Sequence, residues 1–216
     1  MLNIYYAKTE PFRNAKAYEK GLLLLPAEHV KKLERIQSEE VRCSSMAAGL
    51  LMKYGLEIAG ILAEELIFET NSDGKPYLKN YPELFFNISH SGEYAALAVS
   101  DKEIGIDIEK LRTGKRKLAN RFFSKDECAA LDTAWSDSAF TRTWTRKESY
   151  IKATGMGMRM PLNEFSTVED KVNDYYLESF FQENQYWLSV CQKEEAPKAK
   201  PQEIFLDEIL FHDIRK

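Results

Sequence analysis

The segment Ile104-Gly105-Ile106-Asp107-Ile108-Glu109-Lys110 constrains this chain more than any other, because apolar and acidic residues alternate along it. That two-residue period belongs to a β-strand, with the isoleucines on one face and Asp107 and Glu109 on the other. About forty residues on, Trp144-Thr145-Arg146-Lys147-Glu148-Ser149-Tyr150-Ile151-Lys152 carries Glu148 and Lys152 four apart, neighbours on one side of a helix. Three carboxylates and one ammonium suit the holding of Mg²⁺ against a phosphate ester. A blander reading exists for each part. Such a strand is commonly a sheet with one wet face, and an exposed Glu/Lys pair adds only about 0.2–0.5 kcal/mol. Against it, Gly105, Ile106, Trp144 and Ile151 read as core positions. The charges then sit beside buried surface, where carboxylates repel unless a cation joins them.

Upstream, Phe86-Asn87-Ile88-Ser89-His90-Ser91-Gly92 reads as a strand running into a turn that bears hydroxyls and an imidazole. At 216 residues the chain is one large domain or two small ones. With 44% apolar and 30% charged residues it is an ordinary globular sequence, and its apolar runs fall short of a membrane span. Cys43, Cys128 and Cys191 are dispersed and odd in number, which indicates reduced thiols in the cytoplasm; the N-terminus has no charged region or cleavage site of a signal peptide. No Cys/His cluster has zinc spacing, and a net charge of −4 gives no reason to expect nucleic acid as a partner. Positive charge is local. Lys110, Arg112, Lys115, Arg116, Lys117 and Arg121 follow the acidic strand directly, and a thinner group is Lys31, Lys32, Arg35 and Arg42. Each is a solvated face by default, but beside an acidic site each is also suited to steering a polyanion or an acidic protein. Leu111 and Leu118 in the first run are candidates for the apolar contacts of such a partner.

The sequence reads as strands at 2–7, which alternates and is aromatic-rich, and at 85–89, 94–99 and 103–109, then at 164–168, 175–181 and 186–192. Helical spacing predicts a helix opening at Pro26-Ala27-Glu28 and others at 38–63, 117–123, 125–135 and 138–154. Ser124 and Glu127 form a capping box, and Gly155 with Gly157 closes the last helix. Asn71-Ser72-Asp73-Gly74-Lys75-Pro76 is a turn, and 194–202, with Pro197 and Pro201, an exposed loop before a final segment at 204–211. The fold class is therefore α+β, helices packed on antiparallel sheet, in an N-terminal lobe 1–102 and a C-terminal lobe 103–216. The junction carries Asp107 and Glu109, and clefts between units favour ligands.

The strings Gly74-Lys75-Pro76, Phe86-Asn87-Ile88-Ser89-His90-Ser91-Gly92, Ile104-Gly105-Ile106-Asp107-Ile108-Glu109, Arg121-Phe122-Phe123-Ser124 and Trp144-Thr145-x-Lys147-Glu148-Ser149-x-x-Lys152 resemble, in order and spacing, the 4′-phosphopantetheinyl transferases. The resemblance is to the larger, two-lobed type that activates surfactin synthetase and similar assembly lines, and it covers residues from about 74 to 152. It implies a pseudo-dimer of two similar α+β lobes with coenzyme A between them. It further implies Asp107, Glu109 and Glu148 as Mg²⁺ ligands, Lys152, Ser89 and His90 on coenzyme A phosphates, and Gly74, Lys75 and Pro76 beside the adenine. For the 3′-phosphate Arg42 fits best and Lys31 next, with Lys32 or Arg35 as substitutes.

The implied reaction is attack by a serine of an apo acyl- or peptidyl-carrier protein on the β-phosphorus of coenzyme A, with adenosine 3′,5′-bisphosphate leaving. Asp107, Glu148 and Lys152 are its candidate catalytic residues, Glu148 as base either directly or through a metal-bound water. The two-lobed length implies a monomer. The resemblance implies a carrier of nonribosomal peptide, polyketide or fatty acid synthesis. Two other readings stay open: a non-catalytic module binding coenzyme A or a carrier, and a different Mg²⁺-dependent phosphotransferase. The second lacks any Walker-type loop or kinase motif.

Overall fold

A computed structural model of the chain describes residues 1–61, 66–194 and 199–211. The N-terminal part runs β1 (Leu2–Lys8), α1 (Ala15–Leu24), α2 (Ala27–Glu34), α3 (Glu39–Ile58), a hairpin of β2 (Phe68–Thr70) and β3 (Pro76–Leu78), then β4 (Phe85–Ser91) and β5 (Tyr94–Ser100). The rest follows as β6 (Ile104–Lys110), α4 (Arg116–Phe122), α5 (Lys125–Thr133), α6 (Asp137–Thr154), β7 (Lys171–Val172), β8 (Tyr175–Gln182), β9 (Tyr186–Lys193), β10 (Gln202–Glu203) and α7 (Leu206–Phe211). Two four-stranded sheets result, ordered β10-β1-β5-β4 and β6-β9-β8-β7. Every pairing is antiparallel except β1 with β10. The α+β architecture in two lobes is thus as expected.

The sheets meet face to face. Ile4, Tyr6, Tyr94, Ala96 and Ala98 of the first pack on Ile104, Ile106, Ile108, Leu188 and Val190 of the second, one buried cluster shared by both lobes. The alternate residues of the first sheet, among them Tyr5, Ala7, Leu97 and Val99, face α3 through Met46, Ala47, Leu50 and Leu51. α6 covers the outer face of the second sheet, and Gly105 fixes how closely. A Cβ there would lie 2.9 Å from the carbonyl carbon of Lys152 and closer still to Ser149 O and Ala153 N, so only glycine lets the helix backbone rest on the strand. α6 is bounded by Ser136, whose Oγ accepts from Ala139 N at 3.0 Å, and by Gly155 at φ 70°.

Sequence patterning missed three things. α1 was not expected. The helix expected over 38–63 stops at Ile58, followed by Gly60 at φ 85°, and residues 62 and 63 lie outside those described. The strand expected over 164–168 is instead a short 3₁₀ turn (Leu162–Glu164) leading into an unpaired segment. Buried side chains satisfy that segment's backbone in place of a ladder. Arg146 Nε donates to Thr167 O (2.8 Å), Arg146 Nη2 to Glu169 O (2.7 Å) and Lys147 Nζ to Phe165 O (2.8 Å), while Thr167 N donates to Glu127 Oε1 (2.7 Å). The 194–202 stretch, of which 195–198 lie outside the described residues, leads back to the first lobe. Gln202 pairs with Tyr5, and Leu206 enters the core under α3.

Candidate active site

The site forms where β4 and β6 run side by side without a backbone ladder, joined by polar side chains at every second residue of β4. Asn87 Oδ1 accepts from Ile106 N (2.8 Å), and Ser89 Oγ donates to Asp107 Oδ1 (2.8 Å). Ser91 Oγ donates to Glu109 Oε2 (2.7 Å) and accepts from Lys110 N (3.2 Å). The alternation of that motif is therefore a seam between lobes. Gly92 ends β4 at φ 54°, where a Cβ would meet the Tyr186 hydroxyl at 2.6 Å. That hydroxyl in turn accepts from Glu93 N (3.1 Å).

α6 lies against the seam. Residues 144, 148 and 152 fall about 6 Å apart along one helix face, matching the ~6.6 Å between alternate positions of a strand. Lys152 Nζ donates to Asp107 Oδ1 (2.7 Å), Ser89 Oγ (3.0 Å) and Ile106 O (3.2 Å). Asp107 is only 5% exposed, and its Oδ2 is buried without a partner among the described residues. Burial drives its proton affinity up, against the pull of Lys152 and Ser89. Burial likewise raises that of Glu109, opposed by the Ser91 hydrogen bond and reinforced by Asp107. Glu148 is raised first by burial, then by the charge of Asp107, with Lys152, the next largest influence, pulling it down. Asp107, Glu109 and Glu148 thus share one field.

Beyond Glu109 the chain turns so that the guanidinium of Arg112 lies 4.3 Å over the Trp144 ring and 5.8 Å from that of Phe140. Sequence reasoning assigned Arg112 to an exposed basic run; its Nε and Nη2 are buried instead. Of the remaining run, Arg116 lies over Trp135 and pairs with Asp132, and Arg121 lies over Phe122. Leu118 is half-buried against the cluster of Ala119, Phe123, Leu131 and Phe140. Lys115 and Lys117 are exposed.

The other expected residues are spread out. Lys75 Nζ crosses from the β2–β3 turn to donate to Ile104 O and Ala153 O, both at 3.0 Å, at the C-terminal end of α6. Burial brings its pKa down to about 8. Gly74 holds φ 82°, and Pro76 opens β3. His90 is exposed and falls, by strand alternation, on the face of β4 opposite Ser89. Lys31 is exposed in the last turn of α2. The Arg42 guanidinium stacks 5.7 Å from the Tyr18 ring and lines an open cavity of about 400 Å³ with Phe12, Arg13 and Leu33. Sequence reasoning missed Asn87, Ser91 and the Arg112–Trp144 stack. The first two carried a signal, the two-residue period shared with Ser89.

The arrangement suits phosphate chemistry: hard carboxylate oxygens beside cations at an interlobe seam. Comparison with known proteins agrees. Residues 103–202 match the model of the 4′-phosphopantetheinyl transferase superfamily, and residues 12–102 that of the 4′-phosphopantetheinyl transferase N-terminal region. A 4′-phosphopantetheinyl transferase of Bacillus subtilis is 31% identical over 210 residues, 88% of this chain and 92% of that protein. The transferase gsp of Aneurinibacillus migulanus is 40% identical over 119 residues, 54% of this chain and 49% of that protein. An L-aminoadipate-semialdehyde dehydrogenase-phosphopantetheinyl transferase of Xenopus laevis is 32% identical over 158 residues, 63% and 52% of the two chains. The chain belongs to the 4′-phosphopantetheinyl transferase superfamily, and it is an enzyme of that class.

Proposed function

We propose that this protein moves 4′-phosphopantetheine from coenzyme A to a serine of an apo acyl- or peptidyl-carrier protein, with Mg²⁺ held by Asp107, Glu109 and Glu148. The observation that carries the reading is the bare, buried Oδ2 of Asp107 among carboxylates whose proton affinities rise together. A buried carboxylate oxygen without a partner is costly unless a ligand meets it. The donor set is all hard oxygen, as Mg²⁺ prefers. Among the described residues no three ligating side chains already form a cage. Glu109 is tied to Ser91, and Glu148 feels the charges of both Asp107 and Glu109. Bound there, Mg²⁺ would neutralise charge developing on the pyrophosphate.

In the reaction the serine oxygen bonds to the β-phosphorus, and the bond from that phosphorus to the bridging oxygen breaks. The electron pair leaves with adenosine 3′,5′-bisphosphate. Glu148 is the candidate acceptor of the serine proton, directly or through a metal-bound water, since a cation at the site would offset the rise in proton affinity that burial causes. Lys152 takes up charge on the leaving phosphate, while Ser89 steers Asp107. Gly74, Lys75 and Pro76 border the adenine, His90 meets an outer phosphate, and Lys31 and Arg42 are the candidates for the 3′-phosphate. The exposed Lys115 and Lys117 face an acidic carrier. We infer a monomer of the cytoplasm, divided into lobes after residue 102 except that the tail from Gln202 packs back on the first lobe. Among the described residues no helix is long and apolar enough to cross a membrane.

Mass spectrometry of a purified apo-carrier incubated with enzyme, coenzyme A and Mg²⁺ tests this. A gain of one phosphopantetheine, with adenosine 3′,5′-bisphosphate released, is expected. Calorimetric binding of coenzyme A without any gain across a carrier panel would leave a binding module. Transfer from ATP instead would reveal another phosphotransferase.

A further inference from the structure

Arg112 is the charged side chain that the site leaves unexplained. Its backbone is anchored: Leu111 N donates to Gln185 O (2.6 Å), and Arg112 N to Thr141 Oγ1 (3.4 Å) on α6. Its guanidinium lies on Trp144, which fixes the plane of the fork. Nε and Nη2, the two nitrogens along one edge of that plane, are both buried and find no hydrogen-bond partner among the described residues. Two adjacent charged donors left bare are costly. Parallel N–H groups on one guanidinium edge match two oxygens of a phosphate, where a lysine would offer only a point charge.

No hydrogen bond among the described residues uses this edge, although Asp107, Glu109 and Glu148 all feel the charge of Arg112. Asp107 is held by Lys152 and Ser89, and Glu109 by Ser91. The position of Arg112 says which phosphate it would meet. Lys75 marks the C-terminal end of α6, Lys152 pairs with Asp107 near it, and Trp144 stands two turns back beneath Arg112. With the adenine beside Lys75, as proposed above, a pyrophosphate laid along these levels would have its adenosine-side phosphorus at Lys152. Its other phosphorus then lies toward Glu148 and Arg112.

We propose, resting on the transferase reading, that Arg112 is a further substrate-contacting residue, whose Nε–Nη2 edge binds non-bridging oxygens of the phosphoryl group being transferred. The guanidinium stays protonated throughout and moves no proton. It offsets the charge that accumulates on those oxygens as the serine bonds to phosphorus and the bridging oxygen departs. Trp144 is its positioning residue. The basic run thereby divides by task, Arg112 for the phosphoryl group and the exposed lysines for the partner.

The test uses the intact enzyme, Arg112→Met and Arg112→Lys. Coenzyme A and adenosine 3′,5′-bisphosphate are titrated separately by calorimetry with Mg²⁺, alongside loading kinetics and melting curves. Adenosine 3′,5′-bisphosphate lacks the transferred phosphoryl group and so serves as the control ligand. Arg112→Met should weaken coenzyme A roughly tenfold to a hundredfold, as loss of charged hydrogen bonds does, and leave bisphosphate affinity unchanged. Its kcat should fall about 10²–10³-fold, with KM for the carrier unaltered. Arg112→Lys, which keeps the charge and loses the fork, should retain the fold and recover only part of kcat. Equal weakening of both ligands would overturn the proposal, as would a rise in carrier KM alone or unchanged coenzyme A binding in a folded variant. If Arg112→Met does not fold, full activity and coenzyme A affinity in Arg112→Lys would overturn it. Should the wild type load no carrier, the transferase reading fails, and the contrast between the two ligands still judges Arg112.

Discussion

Replacing Gly105 by alanine is the sharpest perturbation of the seam, because one methyl group lands on a helix backbone. The added Cβ would sit 2.9 Å from the carbonyl carbon of Lys152, with Ser149 O and Ala153 N nearer. Ordinary contact between carbons is about 3.5–4.0 Å, so α6 must retreat by roughly 1 Å. Overpacking of this kind costs about 1–3 kcal/mol, offset by the ~0.5–1 kcal/mol that alanine gains over glycine within a strand. At roughly 2–4 °C per kcal/mol for a chain of this size, the melting temperature should fall by a few degrees. Catalysis should suffer more, since a misplacement of 1 Å can cost about 10²-fold in rate. Glu148 and Lys152 ride on α6, whereas Asp107 and Glu109 stay on β6. Scanning calorimetry and carrier loading at 20 °C below the melting point of the variant provide the assay. A Gly105→Ala protein with wild-type melting and turnover would refute the close seating of α6. Lost stability with full turnover would show that the offset between α6 and β6 does not reach the chemistry.

Other substitutions probe separate parts of the account. Glu148→Gln should raise the melting temperature at pH 7.5 in the absence of divalent cation. Its folded proton affinity is raised, so its contribution to stability is full in acid and lost as pH rises through the folded value. The gain should vanish below pH 4, and a variant no more stable at any pH would contradict the crowding of carboxylates. Lys147→Met removes one partner of an ion pair in which both side chains are 1% exposed, and leaves the Glu127 charge in the core with only the neutral donors Ser124 N, Thr167 N and Thr167 Oγ1. About 3–5 kcal/mol should be lost in urea unfolding, and a loss below ~1 kcal/mol would show that water reaches the pair. Lys115→Glu with Lys117→Glu should lower kcat/KM for an acidic carrier and flatten its salt dependence, with coenzyme A affinity intact. Unchanged carrier kinetics would move the dock elsewhere.

The candidate site was legible because two periodicities are unmistakable in it. Alternation put Asp107 and Glu109 together, and helical spacing put Glu148 with Lys152. Sequence could not show that the seam is stitched by Asn87, Ser89 and Ser91, since hydrogen bonds across lobes have no local signature. Nor could it show Arg112 lying on Trp144 and not in solvent, because a loop of charged residues reads as exposed whatever aromatic surface lies beneath. The false strand at 164–168 has the same origin. Phe165, Thr167 and Val168 favour a strand locally, but Glu127, Arg146 and Lys147 reach its backbone first. The tail fails differently, as a two-residue pairing with β1 and the burial of Leu206 are contacts with residues nearly two hundred positions away.

The position of the metal is the central claim, and anomalous diffraction tests it most directly. Crystals grown with coenzyme A and Mn²⁺, a cation that accepts the same carboxylate ligands, should give one strong anomalous peak. That peak should lie within bonding distance of Asp107 Oδ2 and of carboxylate oxygens from Glu109 and Glu148, with pyrophosphate oxygen and water completing the shell. A fully bound coenzyme A whose anomalous peak lies away from Asp107, or that binds with no peak at all, would contradict it.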